Sequence, residues 1–242
     1  MYSDIAVIIP SRIGSTRLHR KALAKIGDKC LIEHVIFSLK TSFDGALYVA
    51  TDSEEIAGVV KKSGAIAIMT DENCPTGSDR TFQAFQKISK RDRIKYIINI
   101  QGDMPFINPV VINKIIAKLK KHDCDIVTPV VKVGKDIAIS ESNVKVVADN
   151  DWNALYFSRS LIPHGGNDFL YHVGIYGFQA TALEKFVKLP QGKYEACEKL
   201  EQLRALENGM RISVCLSDEI PISVDTAADL EKAVSYYKTR VL

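Results

Sequence analysis

The sequence predicts an α/β fold built on a mainly parallel sheet. Three observations carry that prediction. Short apolar runs rich in β-branched residues recur through the first half of the chain, with segments of helical apolar spacing between them, the rhythm of βαβ units. Polar, glycine-bearing stretches follow the ends of those runs, where open α/β sheets bind ligands. At 242 residues, 46% hydrophobic and 25% charged, the chain has ordinary globular composition and length enough to bury a core without disulfide or metal staples.

The elements follow in order. Ile5, Ala6, Val7, Ile8 and Ile9 form a continuous apolar run, the pattern of a strand buried on both faces. Leu31, Ile32, Val35, Ile36 and Leu39 have helical spacing, and residues 47–50 form a second strand. Asp52 is placed to cap the next helix, with Glu55 as its capping-box partner, Ile56, Val59 and Val60 inward and Gly64 as the stop. A strand at 65–69 precedes a helix over 78–88 that buries Phe82, Phe85 and Ile88. Residues 96–100 are a fourth strand. Pro109 opens a helix with Ile112, Ile115, Ile116 and Leu119 inward, and 126–133 is strand again. Beyond about 135 the connections shorten: strands at 144–147, 154–157 and 173–176, helices near 181–188 and 194–208, a strand at 212–216, and a last helix opening at Asp225-Thr226. This reads as one domain over 1–242 with a strand-rich insertion.

Several function classes drop out. A formal charge of +3 does not announce a nucleic-acid binder. The apolar run at 5–9 is far short of the roughly 18–20 residues of a membrane helix, and residues 1–4 carry Asp4 and no Lys or Arg, so no signal-peptide n-region is expected. Five cysteines without a CxxC pair read as reduced thiols of a cytoplasmic protein, and the histidines sit at no zinc-ligand spacing.

The chemistry concentrates at strand ends. Residues 10–21, PSRIGSTRLHRK, hold four permanent cations, and no acidic residue occurs between Ile5 and Gly27. With Gly14 for a turn and hydroxyls at Ser15 and Thr16, this loop suits a triphosphate, although it is neither a Walker A loop nor GxGxxG. Asp103 follows Gly102 at the end of the fourth strand, either as a turn or cap residue or where a Mg²⁺ carboxylate would meet a phosphate held by the first loop. Asp225 offers a second carboxylate, or simply the N-cap of the last helix.

Over residues 5 to about 235 the chain resembles the 3-deoxy-manno-octulosonate cytidylyltransferase (CMP-KDO synthetase) family. The matching segments are IIPSRIGSTRL followed by Lys21, VATDSEEIA, TGSDR, NIQGDMP, NVKVV, ALYFSRSLIP, HVGIYGF, LEQLRALENG and VDTAADLE. The resemblance implies a Rossmann-like, mainly parallel sheet of the nucleotide-diphospho-sugar transferase type, with an inserted dimerisation and sugar-site segment at about 150–180. It implies coupling of CTP to the acidic sugar KDO, giving CMP-KDO and pyrophosphate for lipopolysaccharide biosynthesis, with Mg²⁺ as cofactor, in a homodimer.

By matched position, Arg12, Ser15, Thr16, Arg17 and Lys21 are expected to hold the triphosphate, and Gly77, Ser78, Arg80 and Gln101 to frame cytosine and ribose. Asp103 and Asp225 are expected to hold Mg²⁺. Arg159, His172, Tyr176, Glu201 and Gln202 are expected to line the sugar site. Without the resemblance, His172 reads as a structural histidine, Tyr176 as core, and Glu201 and Gln202 as helix-surface residues.

The chain departs from the family pattern in four places. His19-Arg20 replaces Pro-Gly before Lys21, Met104 replaces a Glu, His164 replaces a Trp, and the connection from Pro163 to His172 is short. The competing readings are a cytidylyltransferase for 8-amino-KDO or sialic acid and, in another class, a non-catalytic CTP-binding protein of the same fold.

Overall fold

The computed structural model describes residues 2–121 and 124–241, with Arg240 and Val241 described in their backbone alone. It divides into two compact units, Met1–Val110 with Pro221–Leu242, and Val111–Ile220. In chain order the first unit begins with β1 (Ile5–Ser11), then β2 (Lys25–Ile26), β3 (Lys29–Cys30), α1 (Leu31–Lys40) and β4 (Leu47–Thr51). It continues through α2 (Glu54–Lys62), β5 (Ile66–Met69), α3 (Gly77–Gln86) and β6 (Tyr96–Asn99). The second unit holds α4 (Val110–Lys121), β7 (Ile126–Val133), α5 (Lys135–Ala138), β8 (Lys145–Ala148), β9 (Ala154–Ser158) and β10 (Phe169–His172). It then adds β11 (Tyr176–Gln179), α6 (Ala180–Lys188), α7 (Lys193–Glu198), α8 (Leu203–Glu207) and β12 (Ile212–Leu216). The chain ends as α9 (Ala227–Val241), back in the first unit.

In the first unit β1 lies between β4 and β6, and β5 flanks β4, all parallel. β1 is central because residues 6–9 expose no surface on either face. The register sets Ser11 beside Thr51 and Thr51 beside Met69, so the loops after β1, β4 and β5 leave the same edge together. α9 is seated by Val224, Leu230, Ala233 and Val234 against Ile26 and Leu31. The Val224 N–H donates to Asp103 O at 2.9 Å, which fixes the start of α9 beside the loop after β6.

Two sequence expectations change here. α2 is capped by Ser53, whose hydroxyl accepts from Ile56 N, and not by Asp52, whose carboxylate is taken by Ile13 N and Arg80. α3 ends at Gln86, and its buried face is Ser78, Arg80, Thr81 and Ala84; Phe82 and Phe85 are only half-buried. Small side chains and a paired arginine form the buried face of the helix, and the bulkier rings are less deeply buried.

The second unit is mixed. β7 runs antiparallel to β10 and β11 and parallel to β12, while β8 and β9 extend the sheet from β10, all antiparallel. The strand expected at 173–176 is instead a step between two ladders: His172 stands opposite Val130 and Gly177 opposite Val127. The Ile175 N–H closes on Val173 O at 2.7 Å across Gly174. The single helix expected over 194–208 is two, α7 and α8, because Lys199 takes the left-handed conformation at φ 55°. That break is held by a buried bidentate pair, Arg204 Nε and Nη2 donating to the two Glu195 oxygens at 2.9 and 2.6 Å.

Candidate active site

The loops leaving β1, β5 and β6 and the start of α9 enclose a cavity of about 250 Å³ within the first unit. The phosphate-loop residues Arg12, Ser15, Thr16, Arg17 and Lys21 line one side, and Gly77, Arg80 and Gln101 another. Gly102 is required between them: a Cβ there would stand 2.9 Å from Pro10 O, so only glycine lets the β6 loop pass this close to the end of β1. Asp103 and Asp225 complete the lining.

These two carboxylates grip one ammonium. Lys21 Nζ donates to Asp103 Oδ2 at 2.9 Å and to Asp225 Oδ1 at 2.8 Å, and Arg17 Nη2 reaches Asp225 Oδ2 at 3.2 Å. Burial works to lower the Lys21 pKa, but the adjoining charge of Asp103 and the hydrogen bonds from both carboxylates outweigh it, so the ammonium stays protonated. Burial raises the Asp103 carboxyl above its usual range, against the pull of Lys21. Its second oxygen, Oδ1, is buried without a hydrogen-bond partner. A buried carboxylate with one unanswered oxygen has capacity for more positive charge. Two hard oxygen donors beside a basic loop fit Mg²⁺, whose remaining ligands come from phosphate and water. Among the described residues no cluster of three or more His, Cys, Asp or Glu offers an all-protein metal cage.

Asp225 turns to Lys21 and Arg17 and not to the helix, because α9 is capped by its neighbour. Thr226 Oγ1 accepts from Asp229 N at 3.2 Å, and Asp229 Oδ2 accepts from Thr226 N at 3.0 Å, a reciprocal capping box. The cap reading of Asp225 therefore falls.

The expected sugar residues all lie in the second unit. His172 is buried between the rings of Phe157 and Tyr176, at centroid distances of 5.0 and 5.5 Å. Burial lowers its pKa to about 3, so it is neutral. Thr128 Oγ1 lies 2.9 Å from His172 Nε2 and 3.1 and 2.8 Å from Val173 O and Ile175 O. Two carbonyls compete for the hydroxyl's one hydrogen, which favours the tautomer with the imidazole proton on Nε2 and Nδ1 as the acceptor. Tyr176 OH donates to Gln202 Oε1 at 3.2 Å, and burial, with the charge of Glu201, raises the phenol's pKa. Arg159 instead spends its guanidinium on carbonyls: Nε to Glu198 O at 2.8 Å, Nη1 to Glu141 O at 3.2 Å and Nη2 to Lys199 O at 3.5 Å.

The family model described as "Cytidylyltransferase" matches residues 6–212. A 3-deoxy-manno-octulosonate cytidylyltransferase of Rickettsia bellii is 55% identical over 237 residues, covering 98% of this chain and 97% of the relative. The chain belongs to the 3-deoxy-manno-octulosonate cytidylyltransferase family. The structure of a CMP:2-keto-3-deoxy-manno-octonic acid synthetase in complex with CTP matches with a TM-score of 0.92 at 32% identity, over 98% of this chain and all of that one. A Yersinia pseudotuberculosis HddC structure, at 16% identity and TM-score 0.68, shares the fold.

Set among the 3-deoxy-manno-octulosonate cytidylyltransferases, the expected nucleotide residues come together, with one exception. Ser78 is buried in the packed face of α3 and does not line the cavity. His172, Tyr176 and Gln202 form one contact chain. Met104, where the family usually has Glu, is buried as a core residue at 7% exposure. Arg20, where the family usually has Gly, holds φ 52°, a conformation that glycine adopts without strain. Lys145, wholly buried, donates its ammonium to Ser140 O, Asn143 O and Arg159 O. Its signal in the sequence is a lysine inside the apolar run NVKVV.

Proposed function

We propose that this chain couples CTP to KDO, releasing pyrophosphate and forming CMP-KDO for lipopolysaccharide biosynthesis. The observation that carries the reading is the meeting of Asp103, Lys21 and Asp225 in a cavity walled by a basic loop, in a chain 55% identical to enzymes of that name.

The anomeric hydroxyl of KDO attacks the α-phosphorus of CTP in line. The new sugar-oxygen to phosphorus bond forms as the bond to the bridging oxygen breaks, pyrophosphate leaves, and the hydroxyl's proton is lost to solvent. Such transfers ask the protein for positioning and charge stabilisation. Arg12, Ser15 and Thr16 hold the triphosphate, while Lys21 and Arg17 neutralise the charge that builds on the leaving pyrophosphate. Asp103 and Asp225 would hold Mg²⁺, which when bound would supply charge neutralisation at the phosphates and make the attacking hydroxyl more acidic. Gly77, Arg80 and Gln101 frame the base and ribose. Arg159 serves the sugar's negative charge with whatever donor capacity its carbonyl partners leave, and the Nδ1 of His172, with Tyr176, Glu201 and Gln202, reads hydroxyls.

A cytoplasmic homodimer goes with this reading. Exposed Leu155 on β9 and Tyr194 on α7 support an apolar contact in the second unit, and sedimentation tests it. Among the described residues no helix is long and apolar enough to cross a membrane. The function itself is tested by pyrophosphate release with CTP against UTP, ATP and GTP, and with KDO against 8-amino-KDO and sialic acid. A site of paired polar contacts rejects mismatched analogues strongly, so CTP with KDO should lead. Equal rates with all four nucleotides, or release only with sialic acid, would overturn the reading.

A further inference from the structure

The loop after β1 carries Arg12, Ser15, Thr16 and Arg17 with little regular structure of its own. It is tied at Ile13, whose N–H donates to Asp52 Oδ1 at 3.0 Å. The other oxygen of the same carboxylate accepts from Arg80 Nη2 at 3.2 Å. Arg80 is held in turn by Thr70 Oγ1 at 2.7 Å and Glu72 O at 3.4 Å. Both side chains are buried, Asp52 at 7% and Arg80 at 3% exposure. Arg80 and the loop line the cavity from different sides, while Asp52 does not line it at all.

We propose that Asp52 is a positioning residue for nucleotidyl transfer. One buried carboxylate sets the distance between the phosphate loop and Arg80. A bound nucleotide spans both walls, so their separation has to match its length. Misplacement by about 1 Å can cost roughly a hundredfold in rate. A buried ion pair is weak as a source of stability, and placement is the better account of keeping one here. Aspartate is needed because Ile13 N–H and Arg80 both donate. An asparagine presents one acceptor and one donor to two donors.

The inference rests on the CTP reading above, and the test separates the two. CTP binding is measured by calorimetry for the unaltered chain, Asp52→Asn, Arg80→Met and the double variant, alongside KM values for CTP and KDO. Asp52→Asn should weaken CTP about tenfold or more and leave the KM for KDO unchanged. In the Arg80→Met background the same substitution should cost less than about threefold, because the pair is already broken. The double variant buries no unpaired charge and leaves Ile13 an acceptor, so it keeps the question answerable if Asp52→Asn alone does not fold. In that case the double variant should bind CTP within about threefold of Arg80→Met. Additive effects, or equal rises in both KM values, overturn the inference. Absence of CTP binding by the unaltered chain overturns the nucleotide reading and the inference with it.

Discussion

Lys21 Nζ stands 2.9 Å from Asp103 Oδ2, and the next carboxylate it touches, that of Asp225, comes from the far end of the chain. One ammonium thus answers two carboxylates, with the exposed Arg17 on the outer one. The arrangement leaves Asp103 Oδ1 buried and unanswered, the feature a divalent cation would satisfy. Asp103→Asn and Asp225→Asn should each lower turnover by orders of magnitude, a loss of about 2.7–4 kcal/mol of transition-state stabilisation. Both should fold, and thermal melts run beside the pyrophosphate assay check this. Because Thr226 and Asp229 cap α9, Asp225→Asn should melt near the unaltered chain, whereas Thr226→Ala should lose about 1 kcal/mol. Near-normal turnover in either aspartate variant would remove the metal assignment.

His172 makes stability depend on pH in a defined direction. Its pKa falls from 6.5 to about 3 on burial, so the folded chain refuses a proton that the unfolded chain accepts. The contribution of neutral His172 is fully present above about pH 6.5 and is lost as pH falls toward 3, at up to about 1.4 kcal/mol per pH unit. His172→Gln removes the titration while keeping a donor for Thr128. The difference between the two denaturation curves isolates the histidine from the other titrating groups. Parallel curves from pH 7 to 4 would show that His172 is solvated in the native state.

Arg159 is locked by three backbone carbonyls, those of Glu141, Glu198 and Lys199. A lysine keeps the charge but cannot present a planar fork to three separate acceptors. Arg159→Lys should therefore raise the KM for KDO and cost about 1–2 kcal/mol of stability. CTP binding, measured by titration, should be nearly intact. If CTP binding were lost and KDO saturation kept, Arg159 would belong to the nucleotide.

The parts of the fold that the sequence announces are those whose neighbours are local. Residues 5–9 and 126–133 are apolar runs that read as buried strands, and they are β1 and β7. Arg12 to Lys21 read as a phosphate loop because no acid sits within it. The failures are set by distant partners. Asp52 and Ser53 are both good caps, and Ile13 and Arg80, 39 and 28 residues away, decide which one is left to the helix. Nothing about Lys199 signals a left-handed turn; the Arg204–Glu195 pair and the Arg159 Nε to Glu198 O bond hold it there. His172 and Gln202 carry no local sign of a site, and without family resemblance they would have remained ordinary core and helix residues.

Arg20 is the non-glycine residue that precedes Lys21, and its φ of 52° lies in the left-handed region. That conformation costs a residue with a Cβ roughly 1–2 kcal/mol. Its compensation is an ion pair with Glu55, but the two side chains are 45% and 57% exposed, and exposed pairs contribute about 0–1 kcal/mol. Glycine would relieve the strain and give back part of the gain through greater freedom in the unfolded chain. Arg20→Gly should therefore stabilise the chain by about 0.5–1 kcal/mol at moderate salt. High salt should widen that margin, because it screens the ion pair only in the unaltered chain. Turnover should be kept, since Lys21 stays bound by Asp103 and Asp225. Denaturant unfolding of both chains at low and high salt measures the effect. A lower stability for Arg20→Gly at every salt concentration would mean that the Arg20–Glu55 contact outweighs the backbone strain it accompanies.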